Sequence, residues 1–137
     1  MRKGIFLFLI LTFISCLDSQ AQNDIKCNST DTIVKAYILG STNDTVVNAM
    51  TIKDGLTLML NDSSYTLKSF TLLFPLAGEG NTIFSNGSRI CSEPKNGYRQ
   101  NISVTKAILL DDIVATKNGK CYKISSIAYL VRGNIRQ

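Results

Sequence analysis

The sequence contains no histidine, no tryptophan, only two prolines in 137 residues, and no apolar run long enough to cross a bilayer as a helix. Without histidine the commonest general base and the commonest metal ligand are both missing, which excludes a hydrolase triad of the usual kind. Cysteines show neither Cys-x-x-Cys spacing nor a histidine to activate them, so structural thiols are expected rather than nucleophiles. Neither Gly78-Glu79-Gly80 nor Gly40-Ser41 leads into a helical pattern, so no phosphate cradle is offered. The adjacent Asp111 and Asp112 would point to opposite faces of a strand and cannot work as a carboxylate pair. Their expected role is to cap a kink by bonding the backbone or Ser125 and Ser126. The sequence therefore predicts no enzyme, no metal site and no cofactor.

Cysteine is scarce as well. There are four, and Cys16 falls in an N-terminal stretch, MRKGIFLFLILTFISCLDSQAQ, that reads as a secretory signal peptide: Arg2 and Lys3, an apolar run from Ile5 to Ile14, then Ser19-Gln20-Ala21 as a small-residue cleavage site. Cleavage after Ala21 makes residues 1–21 the signal peptide. A lipoprotein signal with Cys16 acylated is the competing reading. Either way the product is exported, and it is expected in the periplasm, at the outer membrane or outside the cell. Cys27, Cys91 and Cys121 remain, an odd number that permits one bridge or none, and Cys91 with Cys121 is a candidate pair in an oxidising compartment.

Charge is modest and scattered. Fifteen Lys and Arg against ten Asp and Glu give +5, but no basic run or stripe forms, so nucleic acid is not an expected partner.

What the sequence does contain is β pattern. Asn118-Gly119 tolerates the two positive φ values of a type I′ hairpin turn and is flanked by apolar runs. That turn sets a register: Lys117 opposite Lys120, Ala115 opposite Tyr122, Ile113 opposite Ile124, Leu110 opposite Ile127 and Ile108 opposite Tyr129. Along it the apolar phase slips at Asp111-Asp112 and, opposite, at Ser125-Ser126. Such a slip is expected where strands pass between sheets or at a bulge. Tyr65 to Phe74 slips in the same way between Leu67 and Phe70. Shorter strands are expected over Ile33–Leu39, Thr45–Ile52, Leu56–Leu60 and Asn81–Phe84, with Asn86-Gly87 as a second turn of the Asn-Gly kind. About seven short strands and no long helix argue for an all-β, antiparallel sandwich occupying residues 32–132, after a flexible leader at 22–31 and before a tail at 133–137.

Between Cys91 and Lys106 the periodicity stops, leaving room for one short helical turn. Irregular stretches of this length are often where binding happens. Lys95, Tyr98 and Arg99 are the candidate partner-binding residues, because Tyr and Arg carry interface energy disproportionately. Asparagines 28, 43, 61, 86 and 101 each begin an Asn-x-Ser/Thr tripeptide, which signals glycosylation only in a eukaryotic secretory route.

Ser69-Phe70 in YTLKSFTLLF, the SNGSRI step at Ser85–Ile90, Ile113, Asn118-Gly119 and Ile127-Ala128-Tyr129 together resemble the C-terminal domain of the gliding-motility protein GldM. The resemblance covers about two thirds of the chain that follows the leader. It implies an immunoglobulin-like periplasmic β-domain without catalysis, of the kind that contacts outer-membrane-associated partners and dimerises in the type IX secretion machinery. The motor's transmembrane helix and long ectodomain have no counterpart here, so the resemblance implies fold and partner binding but no motor role. Asp31-Thr32-Ile33 and Asp44-Thr45-Val46 are similar to O-glycosylation sites of Bacteroidetes. The expectation is an envelope module that binds another envelope protein or itself, with an extracellular glycan- or anion-binding module as the alternative.

Overall fold

The computed structural model describes residues 27–29, 34–75, 81–93 and 95–134. The signal peptide, Cys16, the Asp31-Thr32-Ile33 motif, Gly78-Glu79-Gly80 and the last three residues lie outside the described residues.

The Asn118-Gly119 turn organises the larger sheet. Asn118 and Gly119 both adopt positive φ, 51° and 74°, as a type I′ turn demands. The strand before it runs Ala107–Lys117 and the strand after it Lys120–Ile124. Lys117 faces Lys120, Ala115 faces Tyr122 and Ile113 faces Ile124. Chain direction is then kept through Ser125-Ser126 into Ile127–Arg132, where Ile127 faces Leu110 and Tyr129 faces Ile108. The register set by the turn thus holds over the whole length of the hairpin.

In chain order the strands are β1 (Asn28–Ser29), β2 (Ala36–Ile38), β3 (Val46–Asn48), β4 (Gly55–Leu60), β5 (Thr66–Phe74), β6 (Asn81–Asn86), β7 (Arg89–Cys91), β8 (Ala107–Lys117), β9 (Lys120–Ile124) and β10 (Ile127–Arg132), with one helix, α1 (Tyr98–Val104), between β7 and β8. β8 is the centre of a seven-stranded sheet. It pairs with β5 on one side and with β9 and β10 on the other, β5 pairs with β6, and β1 and β3 join β9 and β10 in parallel. β2, β4 and β7 form a second, three-stranded antiparallel sheet with β4 in the middle. The inward residues of both sheets, among them Ile38, Leu56, Leu58 and Ile90 from the small one and Phe70, Leu72, Ile108, Leu110 and Ile113 from the large one, form a single core cluster. The fold is an all-β sandwich.

The two phase slips are bulges within one sheet and do not mark a change of sheet. β5 carries one extra residue at Lys68 and β8 one extra beside Asp112, so the offsets cancel: Leu72 faces Leu110 in the same alignment in which Leu67 faces Ala115. Asp112 takes a positive φ of 47°. Ile108, Leu110, Ile113 and Ala115 are consequently all buried in the one core, although their spacing in sequence suggests two faces. The expected capping role holds for Asp111, whose Oδ1 accepts the Ser126 Oγ hydroxyl.

Three further expectations are corrected. Asn86-Gly87 is not a hairpin turn: Asn86 lacks the positive φ of a type I′ turn, β6 pairs with β5 and β7 pairs with β4, so this corner carries the chain from one sheet to the other. Residues 28–29, assigned to the leader, form β1. That parallel pairing sets Asn28 opposite Tyr122 and brings Cys27 beside Cys121, at a Cα separation of 4.8 Å, where the two form a disulfide. Cys121 therefore pairs with Cys27 and not with Cys91, which lies on the small sheet opposite Gly55. Closing a loop of this length stabilises a fold by about 2–4 kcal/mol.

The layers are also joined by a polar bond. Leu39 and Lys35 carry the ladder bonds of β2 to β4, Leu39 N–H to Thr57 O and Asn61 N–H to Lys35 O, both 2.9 Å. Ile38, between them, therefore aims its N–H off the open side of β2, where it is wholly buried. The Tyr129 hydroxyl, reaching from β10, accepts it at 3.1 Å. Gly55 permits the other contact in the small sheet, since a Cβ there would stand 2.6 Å from Ile90 O.

Tyr129→Phe leaves that buried amide without an acceptor and is expected to cost about 1–3 kcal/mol, read by urea unfolding. A loss below a few tenths would show that the bond across the layers contributes nothing. Asp111 titrates below the usual carboxylate range, chiefly because of the Ser126 hydroxyl and next because of the Asp112 amide. A depressed carboxyl contributes stability above its unfolded value near 3.8 and loses it as pH falls through the folded value. Ser126→Ala should raise the Asp111 titration in a carboxyl-detected NMR series and reduce the stability lost on acidification.

Candidate functional site

The stretch between Cys91 and Lys106, singled out for its lack of pattern, is ordered by one side chain. Asn96 accepts the Tyr98 and Glu93 amides through Oδ1, at 3.0 and 3.3 Å, and donates through Nδ2 to Cys91 O at 2.9 Å. Gly97, at φ 67°, then turns the chain into α1. The helix has one apolar pair, Tyr98 and Ile102, spaced four apart and therefore on one face. Both are buried. At its other end Thr105 becomes extended and donates Oγ1 to Ala107 O at 2.5 Å, leading into β8.

Tyr98 is thus a core residue and not a contact residue. Its ring meets Phe74 edge-on at 6.4 Å, and its hydroxyl donates to Ile52 O at 2.5 Å, which ties the helix to the β3–β4 connection. Burial pushes its phenol well above the ordinary value of 10.0. The cause of the misassignment is local: Tyr98 sits among polar residues, and only Ile102, four positions on, signals an inward face.

Lys95 and Arg99 remain on the surface as expected. Arg99 lies one position past Tyr98 and so points away from the core. Its Nη1 is 3.7 Å from Asp54 Oδ1, and Lys53 Nζ is 3.9 Å from the other carboxylate oxygen. Ser92 N–H donates to Asp54 O, fixing this connection against the strand that leads to the helix. Arg89, at the start of β7, reaches back along the strand towards Gly55, its Nη1 donating to Thr57 Oγ1 at 3.2 Å. At the helical end of the sandwich Lys53 and Arg99 therefore flank Asp54, Arg89 reaches the neighbouring Gly55, and Lys95 is exposed just ahead of the helix. Exposed ion pairs of this geometry contribute at most about 1 kcal/mol and leave the cations available to a competing carboxylate. Lys53 and Arg89 were missed because they lie on other elements, which only the β4–β7 pairing brings beside the helix.

At the opposite end, Tyr65 and Tyr122 pack edge to face at 5.5 Å, and Lys117 Nζ lies 4.9 Å from the Tyr65 centroid. Among the described residues, no three of Cys, Asp and Glu are grouped as a metal site, and no helix is long and apolar enough to cross a membrane.

Comparison with family models, with curated proteins and with solved structures finds no match to this chain.

The tyrosine geometry has a spectroscopic consequence. Tyr98 is expected to ionise above the ordinary phenol range in an ultraviolet titration. Because its folded value is raised, its contribution is complete below about pH 10 and is lost as pH climbs beyond it. Tyr98→Phe should remove that signal while keeping the fold. An unchanged titration curve would mean that the Tyr98 phenol is not held in the core.

Proposed function

We propose that this chain is an exported, non-catalytic envelope module that binds another envelope protein through the basic end formed by α1 and the β3–β4 connection. The observation that carries the reading is the division of labour within α1. Tyr98 and Ile102 lock the helix into the core, and this rigid support holds Arg99, with Lys95 and Lys53 nearby, towards solvent. Binding residues on a rigid element lose little conformational freedom when a partner docks. The partner chemistry that suits Lys53, Arg89, Lys95 and Arg99, which outnumber the carboxylates Asp54 and Glu93 at this end, is an acidic segment.

Export is supported by the leader sequence and by the Cys27–Cys121 disulfide, which fits an oxidising compartment. The resemblance to the GldM C-terminal domain supports an immunoglobulin-like arrangement and an envelope role in a Bacteroidetes cell. A glycan-binding role is less well supported. Sugar platforms lay aromatic faces open, whereas here Tyr65 is covered by Lys117 on its face and by Tyr122 in an edge contact.

The test reverses charge at the exposed positions and leaves Tyr98 alone, since truncating a buried ring tests folding. Tagged wild type and a Lys95→Glu, Arg99→Glu variant are used to isolate partners from crosslinked envelopes of the producing cell. At least one partner should fall about tenfold with the variant. If every partner persists undiminished, the basic end is not the contact.

A further inference from the structure

The outer face of the small sheet is apolar where a sandwich normally shows polar residues to water. In β2, Ala36 and Ile38 point inward while Lys35, Tyr37 and Leu39 point out; in β4, Leu56 and Leu58 point inward while Thr57 and Met59 point out. Tyr37 stands directly opposite Met59, and Leu39 bonds across to Thr57, which faces Arg89 on β7. Tyr37, Leu39 and Met59 are 37, 55 and 38% exposed. Met50, 43% exposed, lies close by, because Gly40 beside Leu39 approaches Thr51 so tightly that a Cβ would stand 2.8 Å from its Cγ2. Four of the six large exposed apolar side chains among the described residues therefore gather in one region, and such gathering marks an interaction site.

The charged side chains on this face, Lys35 and Arg89, are both basic. Lys35 lies at one end of the apolar row and Arg89 at the other, roughly 13 Å apart along the strands at ~3.3 Å per residue. The outward positions of β2, β4 and β7 carry no acid. A second copy of this face would bring the same two cations and no acid of its own, so the charge complement of the face is a partner that carries carboxylates. A patch three strands wide and four residues long suits a single strand or helix of a partner better than a bilayer. Tyr, Met and Arg are residues that protein interfaces favour, and methionine adapts its shape to what it meets.

We infer that this face docks an apolar segment of another protein that is bordered by Asp or Glu, its carboxylates meeting Lys35 and Arg89 and its apolar side chains covering Tyr37, Leu39, Met50 and Met59. The inference rests on the reading of the chain as a partner-binding envelope module and adds a surface and a partner chemistry to it. This face adjoins the basic end at Arg89, so one partner can cover both.

The experiment places the photo-crosslinker p-benzoylphenylalanine at position 37 of the full chain in the producing cell, with Thr82, exposed on the opposite sheet, as the control position. Joined peptides are sequenced by mass spectrometry. The expected result is an adduct from position 37, absent from position 82, whose foreign peptide contains apolar residues next to an Asp or Glu. Lys35→Glu with Arg89→Glu should lower its yield at least tenfold. Because Arg89 also bonds Thr57, Leu39→Ser is the companion variant and should lower the yield without touching a hydrogen bond. Melting curves show that each variant is folded. An adduct with a peptide of this chain, an adduct with lipid, a yield indifferent to these variants, or no adduct above the control overturns the inference. An adduct that depends on Lys35 and Arg89, in cells where Lys95→Glu, Arg99→Glu retains every partner, upholds this face and discards the helical end.

Discussion

The hydrogen-bonded register of β8 is the constraint from which the rest of the sandwich follows. This strand meets β5 along one side and β9 and β10 along the other, so an error of one residue would turn its apolar set outward on both sides at once. The Asn118-Gly119 turn fixes one of these alignments by local geometry. The other depends on two bulges that cancel, at Lys68 on β5 and beside Asp112 on β8. Without the second, Ile113 and Ala115 would leave the core that Ile108 and Leu110 enter. Asp111 stabilises the irregularity by receiving the Ser126 hydroxyl, which ties the break between β9 and β10 to β8.

Two buried tyrosines close the space between the sheets. Each contributes a large apolar ring to the core and ends in a hydroxyl that a backbone group needs: Tyr129 accepts the Ile38 amide, and Tyr98 donates to the Ile52 carbonyl. The Ile38 amide lies on the side of β2 that the small sheet's own ladder leaves unpaired, whereas the Ile52 carbonyl, in the β3–β4 connection, also accepts the Gly55 amide. At Ile38 the Tyr129 hydroxyl thus supplies the bond that a further strand beside β2 would.

How much of this was legible follows from the range of each interaction. The β8–β9–β10 register could be read pair by pair because an Asn-Gly turn is local and strands alternate strictly. The β5 slip was legible for the same reason, but its meaning was not: a spacing that changes face is identical in sequence whether a strand changes sheet or carries a bulge. Cys27 was out of reach as the partner of Cys121, since β1 is two residues long and joins in parallel from far away in the chain. Tyr98 was misplaced because a seven-residue helix gives periodicity only one repeat in which to show itself. Lys95 and Arg99 were found on the surface, whereas Lys53 and Arg89 became part of the same end only through the pairing of β4 with β7.

The contrast between the two faces of the small sheet bears on how such a fold acquires partners. Its inner face is committed: Ile38, Leu56 and Leu58 are almost wholly buried, and exchange there would disturb the core. On its outer face, among the described residues, Tyr37, Leu39 and Met59 keep 37, 55 and 38% of their surface exposed, so they contribute less to the core than their inward neighbours do. Exposed apolar residues in a strand also carry a cost, because they favour unintended association. Lys35 and Arg89 limit that cost by repelling like-charged neighbours, and the same charges would select a partner bearing carboxylates. A surface that is apolar at its centre and basic at both ends is therefore better explained by selective docking than by folding, and the rigid, tyrosine-braced sheet beneath it keeps its shape fixed before any partner arrives.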